Sequence, residues 1–181
     1  MAAYFERVKR FENDTSITLP TRKTINSAGY DFCVAEETVI PSYLAQMKVL
    51  ADCLKDTKSA ALTLEEMSEV TKLFGIKPTL VPTGIKAKLD AGTYLQLSVR
   101  SSCPLKYWLV LANGVGIIDA DYYGNTSNDG EIFFQLINMS PYPIILKKYD
   151  TIGQGIILPY IIKWDDFSPG HRTGGFGSTD K

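Results

Sequence analysis

The stretch Tyr94–Arg100, YLQLSVR, alternates without a break: Leu95, Leu97 and Val99 set against Gln96, Ser98 and Arg100. A period of two marks a strand with one face in a core and the other towards water. Three further runs, EIFFQLIN (131–138), YPIILKK (142–148) and IGQGIILPYII (152–162), are rich in β-branched and aromatic residues. Turn signals separate them: Asp90-Ala-Gly, Asn113-Gly, Asn128-Asp-Gly and Ser140-Pro. Short strands with frequent turns predict a β-sandwich or barrel-like domain. With 181 residues the chain suits one domain, 1–181, with a sizeable core.

One region breaks the pattern, roughly 42 to 77. SYLAQMKVLADCLKDT places Leu44, Met47, Val49, Leu50 and Leu54 near a helical period, with Ser42 as N-cap. TLEEMSEVTKLFG opens on a capping box, Thr63 and Glu66, and ends with Gly75 at a C-cap position. Leu64, Met67, Val70, Leu73 and Phe74 form its apolar stripe. The expectation is a helical hairpin set into a β domain, either packed on the sheet as a lid or used to bind a partner.

Charge and composition exclude several classes. A formal net charge of −1 argues against a broad basic face for a nucleic-acid duplex. No run is long or apolar enough to span a membrane. The first residues, MAAYFERVKRFEND, are too charged for a secretory signal. Cys33, Cys53 and Cys103 are widely spaced and odd in number, which fits a reducing, cytoplasmic setting and gives no zinc motif. His171 is the only histidine, so a histidine-based triad or metal site has little to build on.

Five polar segments carry the chemistry. SAGYDF (27–32) places Asp31 at the start of the first core strand, and VRSSCPLK (99–106) supplies Arg100, Ser101, Ser102 and a lysine after a strand. GIIDADYYGN (116–125) sets Asp119 and Asp121 two positions apart, with Tyr122 and Tyr123 following. YDTIGQG (149–155) gives a turn and then Gln154. RTGGFGSTD (172–180) places Arg172 and Phe176 among glycines and hydroxyls, a composition able to clamp a phosphorylated, ring-bearing ligand. Taken singly, each has a plain structural reading: a solvated strand end, a turn-capping carboxylate, a loose tail.

Together and in this order they resemble the five motifs of the homotrimeric dUTPase family, over nearly the whole chain except the helical insert. VAEETVIPS and LVPTGI on either side of the insert read as two halves of one stretch of that family. The insert itself resembles that of dUTPases from bacteriophages of Gram-positive hosts, staphylococcal phages in particular. The resemblance implies an all-β, jelly-roll-like (β-clip) subunit with a small α-helical hairpin insert, 42–77. It implies a homotrimer with shared active sites and a mobile C-terminal arm, 169–181.

The implied reaction is hydrolysis of dUTP to dUMP and pyrophosphate with Mg²⁺. Asp119 matches the carboxylate that activates the attacking water, and Asp121 is then structural. Tyr122 matches the ring that leaves no room for a ribose 2′-OH. Asn113 and the backbone of Ile117 and Ile118 match the uracil contacts. Arg100, Ser101, Ser102 and Gln154 match phosphate ligands. Arg172, Phe176, Gly177 and Ser178 match the closing arm, and Asp31 the carboxylate that grips water on Mg²⁺.

Three positions depart from the pattern. Thr151 stands where an arginine is usual, only three residues separate Arg172 from Phe176, and Asp180 replaces a glycine. Two other functions remain in view. Relatives on the same fold deaminate dCTP with a glutamate near the third motif, for which this chain has no clear match. Some phage members bind a repressor protein, which implies a nucleotide-sensing role for the insert, beside catalysis or in place of it.

Overall fold

A computed structural model describes residues 3–55 and 61–166. Eleven strands run as β1 (Tyr4–Arg7), β2 (Tyr30–Cys33), β3 (Thr38–Ile40), β4 (Thr79–Pro82), β5 (Ile85–Lys88), β6 (Thr93–Val99), β7 (Leu109–Leu111), β8 (Gly116–Asp119), β9 (Phe133–Asn138), β10 (Ile144–Leu146) and β11 (Thr151–Pro159). Three α-helices interrupt them, α1 (Tyr43–Cys53), α2 (Leu64–Phe74) and α3 (Ser102–Tyr107), beside two single 3-10 turns, Lys9–Phe11 and Ala120–Tyr122. None is long and apolar enough to cross a membrane.

Two antiparallel sheets make the sandwich. One has the order β2-β11-β6-β8 and the other β4-β9-β7. Two-stranded pairs, β1-β5 and β3-β10, flank them. The alternation in β6 does what its period predicts: Leu95 and Leu97 are buried, while Tyr94, Gln96 and Ser98 are only partly covered on the other face. Across the sandwich Val81, Phe134 and Leu136 join Leu95, Leu97, Phe32 and Ile152 in one apolar core. Phe32 and Phe134 meet with ring centroids 5.9 Å apart. Side chains directly opposite each other in a sheet share a face. The polar face of β6 therefore continues onto Ile117 and Asp119 of β8 and onto Gln154 of β11 and Asp31 of β2.

Both expected helices form with the caps their sequences prescribe. The Ser42 hydroxyl accepts from the Ala45 N–H at 3.1 Å. Thr63 and Glu66 close a reciprocal capping box, and Gly75 takes a left-handed φ of 65°. Burial differs from the expected apolar stripes. Of α1 only Leu50 is buried, and no residue of α2 is; Leu64 is 93% exposed and Leu73 81%. Met67, Val70 and Phe74 of the α2 stripe are partly covered, and Phe74 lines a cavity with Ala45, Gln46 and Val49 of α1.

Candidate active site

The third motif builds a cavity from one strand and its flanking turns. Gly114 takes a left-handed φ of 71° in the turn that carries the chain from β7 in one sheet to β8 in the other, where β8 pairs with β6. Gly116 lies opposite Leu97, where an added β-carbon would approach that side chain to 3.1 Å. The space left between β8 and β9 is a cavity of about 250 Å³ lined by Asn113, Ile117, Ile118 and Tyr122, with Glu131, Phe133 and Gln135 on the β9 side. Four residues predicted from the sequence thus share one pocket. Glu131, Phe133 and Gln135 had no local signal, because their segment read simply as a strand.

Asp119 ends β8, one residue beyond Ile118 of the pocket wall. It is the N-cap residue of the single helical turn that follows, Ala120–Tyr122, and its side chain makes no cap hydrogen bond to that turn. Tyr122 is buried, and its hydroxyl donates to the Glu131 carbonyl at 3.0 Å. The neighbouring Tyr123 turns away to the Glu6 carboxylate, with Lys86 and Lys88 over its ring. Asp121 is exposed.

A second depression, about 240 Å³, gathers Asp31, Arg100, Ser101 and Gln154 with Lys23, Ser27 and Gly29. Arg100 follows the last residue of β6, and its N–H is fixed by the Ile152 carbonyl at 3.2 Å. Its guanidinium lies 3.9 Å from Asp31 Oδ2, beyond hydrogen-bond range. That oxygen is buried and has no hydrogen-bond partner. Lys23, which lies outside the quoted motifs, adds a second cation here. Ser102 begins α3 and lines an adjoining cavity with Cys103, Tyr107 and Thr151, and Arg100 lines both. Burial pushes the Cys103 thiol pKa up, and the thiol donates to the Ile152 carbonyl at 3.1 Å. Among the described residues, no cluster of three or more His, Cys, Asp or Glu could hold a metal. Arg172, Phe176, Gly177 and Ser178 lie outside the described residues.

The two depressions are far apart on one chain. Asp119 pairs with Tyr94 at one end of β6, and Gln154 pairs with Ser98, four residues along. Four residues of strand span roughly 13 Å, and β8 to β11 is two strand spacings, so Asp119 and Gln154 stand about 16 Å apart. Asp31 is a further strand away.

The family model of the dUTPases matches residues 48–179. The chain belongs to the dUTPase family. Among curated relatives, this dUTPase-family chain is 33% identical over 177 residues to the deoxyuridine 5′-triphosphate nucleotidohydrolase of Lactococcus lactis, covering 97% of this chain and 95% of that one. A dUTPase crystal structure from Streptococcus mutans superposes with a TM-score of 0.67 at 34% identity, covering 88% and 98% of the two chains. A mutant dUTPase from phage phi11 of S. aureus, described with a structural Mg(II) ion, shares the fold at 14% identity, with a TM-score of 0.59 and coverage of 94% and 98%. The all-β dUTPase fold expected from the motifs is the fold observed.

Proposed function

We propose that this chain hydrolyses dUTP to dUMP and pyrophosphate. The observation that carries the reading is the cavity shared by Asn113, Ile117, Ile118 and Tyr122, with Asp119 next in the chain after Ile118 of its wall. Such a slot suits a flat ring with its own donors and acceptors. The Asn113 amide and the backbone of Ile117 and Ile118 read uracil, because a ring that mismatches them leaves polar groups unpaired. Tyr122 closes the sugar side against a 2′-OH.

The Asp119 carboxylate orients a water and takes its proton as the oxygen attacks the α-phosphorus in line. The bond from that phosphorus to the bridging oxygen breaks, and pyrophosphate leaves with the electron pair. Positioning and charge stabilisation supply most of the acceleration in phosphoryl transfer, so the carboxylate works chiefly by placement.

The triphosphate needs cations and N–H donors, and the depression at Arg100, Ser101, Gln154 and Lys23 supplies them. Ser102 adds a donor at the start of α3. The Asp31 oxygen, buried without a hydrogen bond, fits a contact to water on Mg²⁺, an ion that keeps much of its hydration shell and binds mainly through substrate phosphates. The ion would neutralise phosphate charge there. Arg172, Phe176, Gly177 and Ser178 would complete the ligand shell from the C-terminal arm.

A base that must touch the α-phosphate cannot serve phosphate ligands about 16 Å away on the same sheet. That separation supports a site assembled between copies of this chain, as a homotrimer in which one copy's uracil cavity faces another's phosphate depression. A second reading attaches to α2, where Leu64 and Leu73 lie almost fully exposed. That face suits a protein partner such as a repressor, coupled to nucleotide state.

The test is pyrophosphate release from dUTP, dCTP, dTTP and UTP with Mg²⁺, beside the Asp119→Asn protein. Turnover of dUTP alone, lost in the variant, is the expected result. Deamination of dCTP, or dUTP bound without turnover, would overturn it.

A further inference from the structure

Tyr122 is anchored by the stretch just beyond the third motif, residues 126–130. The ring lines the uracil cavity, and its hydroxyl is held from two sides: it donates to the Glu131 carbonyl at 3.0 Å and accepts from Asn128 Nδ2 at 2.7 Å. Asn128 is itself fixed. Its side-chain oxygen accepts from the Gly130 N–H at 3.1 Å, its carbonyl accepts from the Glu131 N–H at 3.1 Å, and its own N–H turns towards the Asn125 side chain. The loop is pinned at both ends of this contact. Asp129, in a left-handed conformation at φ 59°, accepts from Lys86 and from the Lys9 N–H. Gly130 packs so closely that a β-carbon there would sit 2.6 Å from the Tyr122 carbonyl. Glu131 is buried and bound at both oxygens by Arg10, with the Gly84 N–H as a further donor.

We infer that Asn128 is a positioning residue for sugar selection: by holding the Tyr122 hydroxyl it fixes the ring that separates deoxyribose from ribose. This rests on the proposed role of Tyr122 against the sugar. A steric barrier discriminates only if it does not yield. A ring tied at its far end to a pinned loop cannot recede when a 2′-OH presses on it, whereas an untied ring can. Asn128 is not among the residues that line the cavity, so its effect passes through Tyr122.

The experiment measures kcat/KM for dUTP and for UTP in the wild-type chain, in Asn128→Ala and in Asn128→Ser. Serine keeps a short acceptor for the Gly130 N–H but does not reach the tyrosine hydroxyl. Both variants should lower the dUTP-to-UTP ratio by roughly five- to tenfold, the worth of one buried hydrogen bond, mainly by admitting UTP. A purely structural role would slow both substrates alike and leave the ratio where it was; that result overturns the proposal. Should the alanine variant fail to fold, the serine variant decides alone. A wild-type chain that ignores dUTP, or hydrolyses UTP as readily, removes the parent reading and this one with it.

Discussion

Gly29 faces Gln154 so closely that a β-carbon on the glycine would lie 2.3 Å from the amide Oε1. The clash is with the end of a flexible side chain, so alanine at 29 displaces the glutamine and leaves the sheet intact. Gly29→Ala should raise KM for dUTP by about tenfold, the cost of a misplaced polar contact, with the melting temperature nearly unchanged. Steady-state kinetics beside a thermal melt checks both halves. An unaltered KM would mean that Gln154 is not a phosphate ligand.

Gly153, one residue earlier, gives the opposite outcome. Its β-carbon would fall 2.0 Å from the Phe134 ring in the middle of the core. Phe134 is fully buried and cannot move aside. Gly153→Ala should cost roughly 3 kcal/mol or more through overpacking, or prevent folding outright. Urea denaturation of the purified variant measures it.

Asp119→Asn keeps the size of the side chain and removes the base. Turnover should fall by about 10²–10⁴-fold, the usual worth of a positioned general base, while dUTP affinity stays within a few-fold. Pyrophosphate release and equilibrium binding of dUTP separate the two effects. Loss of binding in step with turnover would assign Asp119 to substrate contact.

Arg10 grips the buried carboxylate of Glu131 with two hydrogen bonds, at 2.7 and 2.8 Å. The guanidinium is held charged mainly by Glu131, against desolvation, with help from Glu36. Removing the arginine leaves a buried carboxylate with the Gly84 N–H as its remaining donor. Arg10→Ala should cost roughly 2 kcal/mol, less than the ~3–5 of a fully buried pair, because the arginine is 44% exposed. A drop of roughly 4–8 °C in melting temperature is expected for a chain of this size.

Acid should weaken the fold. Lys148 and Ser16 hold the Asp14 carboxyl at about 2, against an ordinary value of 3.8. Hydrogen bonds from the Thr63 backbone and hydroxyl lower Glu66. Burial raises Asp129, but Lys86 and the Lys9 N–H outweigh it, and the net shift is downward. A carboxylate whose folded pKa is depressed stabilises the fold above its unfolded value and loses that contribution as pH falls through the folded one. Melting temperature should therefore be flat down to about pH 4 and decline from there towards pH 2. Asp129→Asn should decline less steeply; an identical curve would show that Asp129 gives no acid-linked stability.

How much of this was legible in the sequence depended on whether the signal was local. The β6 alternation gave its strand and its buried face, and Ser42, Thr63, Glu66 and Gly75 gave both insert helices their ends, since caps are set by neighbours in the chain. The short helix α3 carried no such signal: six residues are too few to show a period, and its proline, Pro104, sits in the first turn, where proline is tolerated. That helix turns Ser102 away from Ser101, so two adjacent serines of one motif line different cavities. Glu131 and Asn128 were read as strand and turn residues, because their bond to Tyr122 is made by the tertiary fold. The exposure of Leu64 and Leu73 was hidden for the same reason: a stripe in sequence says which face of a helix is apolar, not what lies opposite.

The distance between Asp119 and Gln154 has a genetic consequence. If each working site draws its base from one chain and its phosphate ligands from another, two inactive alleles can repair each other. A chain lacking Asp119 still offers an intact phosphate depression, and a chain lacking Arg100 still offers an intact base. Cells carrying both would make mixed assemblies in which some sites receive two sound halves, although neither allele alone makes any.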